Sequence, residues 1–153
     1  MANFVQIQSF KDLVTHLEKE GKSFNADSAE QAIVLSPDAA GGASTPVVVR
    51  WDKKDPLIHV LQPMVAEVPA ERAVDVAVAI ARMNDQAKMP GLGYNQRTRL
   101  IYYRISMVVL PDGIRSDLLM AMIRGAGENA KEVLGTIRHV VEGSAPEATG
   151  RTP

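Results

Sequence analysis

The chain has 153 residues, 17 basic and 18 acidic side chains, a net charge of −1 and no cysteine. That length suits one domain with its own core, and the missing thiols exclude a disulfide framework, a zinc–thiolate site and a cysteine nucleophile. The near-neutral balance argues against nucleic acid or an anionic membrane as a partner. Apolar runs such as Val47-Val48-Val49 are too short to span a bilayer, and Met1-Ala2-Asn3-Phe4-Val5-Gln6 turns polar too soon for a signal peptide. A cytoplasmic location is therefore expected.

Ser9-Phe10-Lys11-Asp12 opens a short amphipathic helix with Ser9 as its N-cap. Phe10, Leu13, Val14 and Leu17 recur at helical spacing, and Gly21 stops the helix. Gln31 to Ser36 is a strand rich in Ile, Val and Leu. Pro37-Asp38-Ala39-Ala40-Gly41-Gly42-Ala43-Ser44 reads as a hairpin loop, because the Lys and following helix of a phosphate-cradling loop are missing. A second strand, Thr45 to Asp52, puts Val47, Val49 and Trp51 on one face and Val48 and Arg50 on the other. After the polar turn Lys53-Lys54-Asp55-Pro56 a third strand runs from Leu57 to Val68, with Pro63 calling for an edge or a bulge.

Pro69-Ala70-Glu71 opens a central helix reaching about Lys88. Its apolar residues, from Val74 to Met83, cover more than half of the circumference, so it needs cover on more than one side. Either the C-terminal helix or a second subunit supplies it, and a homodimer is the expectation from this surface. Asn84, Met89-Pro90-Gly91 and Gly93 mark its end. The pattern then alternates: Ile101, Tyr103, Ile105, Met107 and Val109 form one face of a long strand or bent strand pair, opposite Leu100, Tyr102, Arg104, Ser106 and Val108. Pro111-Asp112-Gly113 ends it. The last helix, with Ser116 as N-cap, carries a stripe from Leu119 to Val141 interrupted by Gly125, Gly127 and Gly135, which mark a kink or a close approach. Residues 1–143 form one domain, and 144–153 lack apolar groups and read as a disordered tail.

Little in this pattern suggests catalysis. His16, His59 and His139 fall on different elements without a partner at metal spacing, and Ser and Thr lie mostly in caps and turns. No catalytic residue, metal ligand or cofactor site is assigned, and a non-enzyme is expected.

Ile80-Ala81-Arg82-Met83-Asn84, Gly91-Leu92-Gly93-Tyr94, the strand ending Val108-Val109-Leu110-Pro111-Asp112-Gly113 and the long C-terminal helix together resemble the YbjN family of bacterial proteins. The order also resembles the type III secretion chaperones. The resemblance covers about residues 9 to 143. It implies an α+β fold, an antiparallel sheet packed with helices in the order α-β-β-β-α-β(-β)-α, and a small, often dimeric, non-catalytic protein that binds another protein as a chaperone-like carrier or regulatory adaptor. The basic segment Asn95-Gln96-Arg97-Thr98-Arg99 departs from the family's usual pattern. An alternative reading is a small-ligand carrier with a pocket between sheet and last helix at Gly125-Ala126-Gly127.

The expected partner surface is the face of the long strand opposite the helices. Leu100, Tyr102 and Arg104 lie there, and Trp51 is expected to join them from a neighbouring strand. Trp, Tyr and Arg combine large contact area with polar tips, which suits them to binding hot spots.

Overall fold

The computed structural model describes residues 5–65 and 67–143; the expected disordered tail, 144–153, lies outside them. In chain order the elements are β1 (Gln6–Ile7), α1 (Phe10–Lys19), β2 (Phe24–Asp27), β3 (Ala32–Leu35), β4 (Val47–Trp51), β5 (Leu57–Val65), a 3-10 turn (Ala70–Arg72), α2 (Ala73–Gln86), β6 (Leu92–Asn95), β7 (Leu100–Val108), β8 (Ile114–Arg115) and α3 (Ser116–Glu142). Six strands form one antiparallel sheet in the order β2-β3-β4-β5-β7-β6, while β1 pairs with β8 in a separate ribbon. This is an α+β fold with its helices on one side of the main sheet.

Strand alternation decides which side chains enter the core. Ile33, Leu35, Val47, Val49, Ile58, Val60, Ile101 and Tyr103 are buried on one face of the sheet. Leu13 and Leu17 of α1, Val76 and Ile80 of α2, and Leu119, Ile123 and Ile137 of α3 join them in one cluster. α3 crosses β5 and β7, and α2 packs between α3 and β6. Each large aliphatic in that cluster is worth about 2–5 kcal/mol against Ala.

Local chemistry sets the ends. The Ser9 side chain accepts from the Asp12 amide, as an N-cap should, and Gly143 closes α3 in a left-handed conformation with φ 73°. Gly113 (φ +93°) turns the chain into β8, and a Cβ there would come within 2.6 Å of the Ile7 carbonyl oxygen. Arg72 donates twice to the Val140 carbonyl, tying the start of α2 to the end of α3.

Several features differ from the sequence expectations. Leu92–Asn95 is a strand, so the long strand is the second arm of a hairpin whose turn lies at residues 96–99. β2 and the β1–β8 ribbon are additional, and Pro63 sits in an internal strand, where a register shift between Pro63 and Val65 absorbs its missing amide. The cap of α3 is Arg115, one residue early; Ser116 is the first helical residue, and its amide donates to the Val5 carbonyl. Gly127 marks a close approach: a Cβ there would stand 3.2 Å from that of Ala43, so helix and loop meet where the alternative reading put a pocket.

Candidate partner-binding surfaces

The sheet has a second face, and among the described residues no helix packs on it. Register places Asn25, Val34, Val48, Leu61 and Arg104 in one row across five strands, and Asp27, Ala32, Arg50, His59 and Ser106 in the next. Val34, Arg50, Arg104, Ser106 and Val108 are exposed or nearly so, and Val48, Leu61 and Tyr102 are partly so. This composition matches an interface better than a solvated face, since apolar groups stand among aromatic and guanidinium ones.

One polar cluster lies on it. His59 Nδ1 is 2.7 Å from Ser106 Oγ, a hydrogen bond whose donor depends on the imidazole tautomer, and His59 Nε2 is 3.7 Å from Asp52 Oδ2. The Asp52 carboxyl is held below its ordinary range, first by the turn amides of Asp55 and Lys54 and then by His59 beside it. These are the residue types of a hydrolytic triad without its geometry. The carboxylate is too far to hold the imidazole by a hydrogen bond, and the serine lies within a strand on an open surface. The cluster reads as a cross-strand contact joined to a turn.

Leu100, Tyr102 and Arg104 share the open face, as their alternation predicts. The Tyr102 ring covers Gly93, its register partner on β6: a Cβ at Gly93 would fall 2.2 Å from the ring. Arg104 Cζ stands 6.0 Å from the centre of that ring, at the outer limit of a cation–π contact. The glycine therefore serves as a seat for the aromatic ring, the cross-strand arrangement that offsets glycine's weakness in a strand. Trp51 does not join them. It pairs with Ile58 and lies with Val47 and Val49 on the helix side, half-buried against the core.

A second exposed apolar surface lies on α2, the helix whose apolar excess called for a second cover. α2 buries Val76 and Ile80 but leaves Val74 75% and Val78 44% exposed, with Ala77 and Ala81 beside them. Between this ridge and the β6–β7 hairpin runs an open groove of about 560 Å³, walled by Tyr94, Gln96 and Arg99. Arg99 is ion-paired with Glu67 at its rim. On the other side of α2 a cavity of about 480 Å³ lies against α3, bounded by Met83, Met89, Tyr103 and Asn129. Asn84 fixes its wall: its side chain donates to the Leu92 carbonyl and accepts from the amides of Gly91 and Leu92. Among the described residues no three His, Asp or Glu side chains gather to hold a metal, and no helix is long and apolar enough to cross a membrane.

An antiparallel sheet with helices on one face and an uncovered face on the other defines a small α+β module. The YbjN family model, described as "Putative bacterial sensory transduction regulator", matches residues 27–138. The chain belongs to the YbjN family. Among solved structures it is similar to the crystal structure of YbjN from E. coli, described as "a putative transcription regulator", with 17% identity, a TM-score of 0.61, and coverage of 88% of this chain and 96% of that one. No curated protein matches.

Proposed function

We propose that this protein is a non-catalytic protein-binding module, a regulatory adaptor or chaperone-like carrier that works as a cytoplasmic homodimer. The observation that carries this reading is the uncovered sheet face, where Leu100, Tyr102 and Arg104 stand side by side on a rigid strand. A pre-ordered aromatic and guanidinium pair loses little side-chain entropy on binding, which favours it as an anchor. Regulation is the role named both for the family and for the E. coli protein, and a regulator without a reaction acts through what it holds.

The test is quantitative binding to a partner isolated with the wild-type protein. Replacing Tyr102 and Arg104 together by Ala should weaken that complex at least tenfold, roughly 1.4 kcal/mol. Hydrogen exchange in the complex should show protection along β4, β5 and β7. A partner that binds the double variant equally well, with protection confined to the helices, would refute this surface.

A further inference from the structure

Charge on the open face of the sheet is one-sided in what it leaves available. Arg50 on β4 and Arg104 on β7 are exposed there, and neither has an ion-pair partner among the described residues. The carboxylates that share the face are already engaged. Asp27 Oδ1 accepts from the amides of Ala29 and Glu30 at 2.9 and 3.0 Å, and Asp52 Oδ1 accepts from those of Lys54 and Asp55 at 2.8 and 3.0 Å. Asp52 Oδ2 turns to His59. Each carboxylate is thus held within its own turn, which leaves two free guanidiniums on a chain whose net charge is −1.

Register fixes how far apart these guanidiniums are rooted. Arg50 is opposite His59, His59 is opposite Ser106, and Arg104 lies two residues from Ser106 along β7. Two strand spacings across and two residues along separate the arginine Cα atoms by about 12 Å. The line between them crosses β5 between His59 and Leu61, and Val48 stands beside Leu61 on β4. An aliphatic floor therefore lies between two forked donors, each of which matches the geometry of a carboxylate. In a helix, residues i and i+7 share a face about 10.5 Å apart, with i+3 and i+4 between them. The two spacings agree within the reach of an arginine side chain.

We infer that the open face takes an acidic amphipathic helix of a protein partner, with one carboxylate at Arg50, another at Arg104, and aliphatic side chains between them on Leu61 and Val48. This rests on the sheet-face binding of the proposed function and names the chemistry of what binds. Basic groups at the same positions would set like charges together, at a cost that selects against such partners. Phosphate suits a guanidinium as well, but a nucleic-acid backbone has no aliphatic side chain to lay over Leu61 and Val48.

Fluorescence anisotropy of three labelled peptides titrated with the full chain tests the inference. Each is an alanine-rich helix former of about 18 residues with leucine at i+3 and i+4, and they differ only in carrying glutamate, glutamine or lysine at both i and i+7. The glutamate peptide should bind at least tenfold more tightly than the glutamine one, and the gap should close as salt rises from about 50 to 500 mM. Arg50→Glu combined with Arg104→Glu should invert the order, so that the lysine peptide binds best. Such an inversion is a gain of binding and cannot come from unfolding. A wild type that does not bind the glutamate peptide, or binds all three alike, overturns the acidic helix. A single-stranded DNA oligonucleotide that binds more tightly than the glutamate peptide overturns it in favour of phosphate. In each of these cases the sheet face itself still stands or falls by the isolated partner and the Tyr102 and Arg104 double variant, so the two readings fail separately.

Discussion

Tyr102 and Tyr103 are neighbours in sequence and opposites in situation. Each ring lies over a glycine of the adjoining hairpin arm: Tyr102 over Gly93, and Tyr103 beside Gly91, where a Cβ would come within 2.9 Å of the ring. Yet Tyr103 is 2% exposed, and its hydroxyl donates to the Met89 carbonyl at 2.8 Å. Tyr102 instead keeps one side in water, with a guanidinium nearby. The pair shows how one glycine-rich arm serves both faces of a sheet. On the helix side the ring closes the core, whereas on the open side the same chemistry builds a platform.

The largest expected effect breaks the comparison on its buried side. Tyr103→Ala should cost about 3–5 kcal/mol, since it opens a cavity beside Leu92 and leaves the Met89 carbonyl without its donor. Chemical denaturation would measure it. Tyr103→Phe keeps the ring and should cost about 1–2 kcal/mol. A loss below about 1 kcal/mol for Tyr103→Ala would show that the ring is not part of the core.

A smaller effect tests the seat on the open side. Gly93→Ala forces a Cβ into the Tyr102 ring and should destabilise by about 1–3 kcal/mol. Tyr102→Ala alone should cost about 1 kcal/mol, because only part of the ring is withdrawn from water. The two together should cost less than their sum, since removing the ring also removes the clash. Simple additivity of the two losses would mean that ring and glycine do not meet.

These contrasts also explain what was legible beforehand. Alternation along Ile101 to Val109 identified the buried and open faces of β7 without any tertiary information, and helical spacing with Ser9 and Gly21 bounded α1 to within two residues. β6 was obscured because Gly91-Leu92-Gly93 resembles a loop until the two tyrosines that cover its glycines are known. β2 offered no signal: Asn25, Ala26 and Asp27 are all exposed at the sheet edge, so nothing selected for an apolar alternation. Trp51 failed for a different reason. Alternation within β4 correctly grouped it with Val47 and Val49, but assigning that group to one side of the sheet required the Trp51–Ile58 and Ile58–Met107 registers across β5. The ridge of α2 was visible as an excess of apolar surface, whereas which of its residues stay uncovered depends on how α3 and β6 pack against it.

The smallest predicted effect is in pH dependence, and the two ends of the scale have different owners. At the acid end, Asp117 and Asp52 are held below the ordinary aspartate value of 3.8, Asp117 chiefly by its hydrogen bonds with Arg115 and Asp52 chiefly by the amides of Asp55 and Lys54. A lowered carboxyl contributes stability above that value and loses it as the pH falls through the lowered one, and because Asp117 is exposed and Asp52 partly so the loss should be shallow. Asp117→Asn should flatten the acid limb only slightly. At the alkaline end burial pushes the Tyr103 phenol above its ordinary 10.0, so the fold prefers the neutral form. Its contribution is complete below pH 10 and is lost as the pH rises through the raised value. Denaturant midpoints measured from about pH 8 upwards should therefore begin to fall above pH 10 for the wild type and stay flatter for Tyr103→Phe. A Tyr103→Phe variant whose midpoint fell as steeply as the wild type's would show that the buried phenol does not set the alkaline limb.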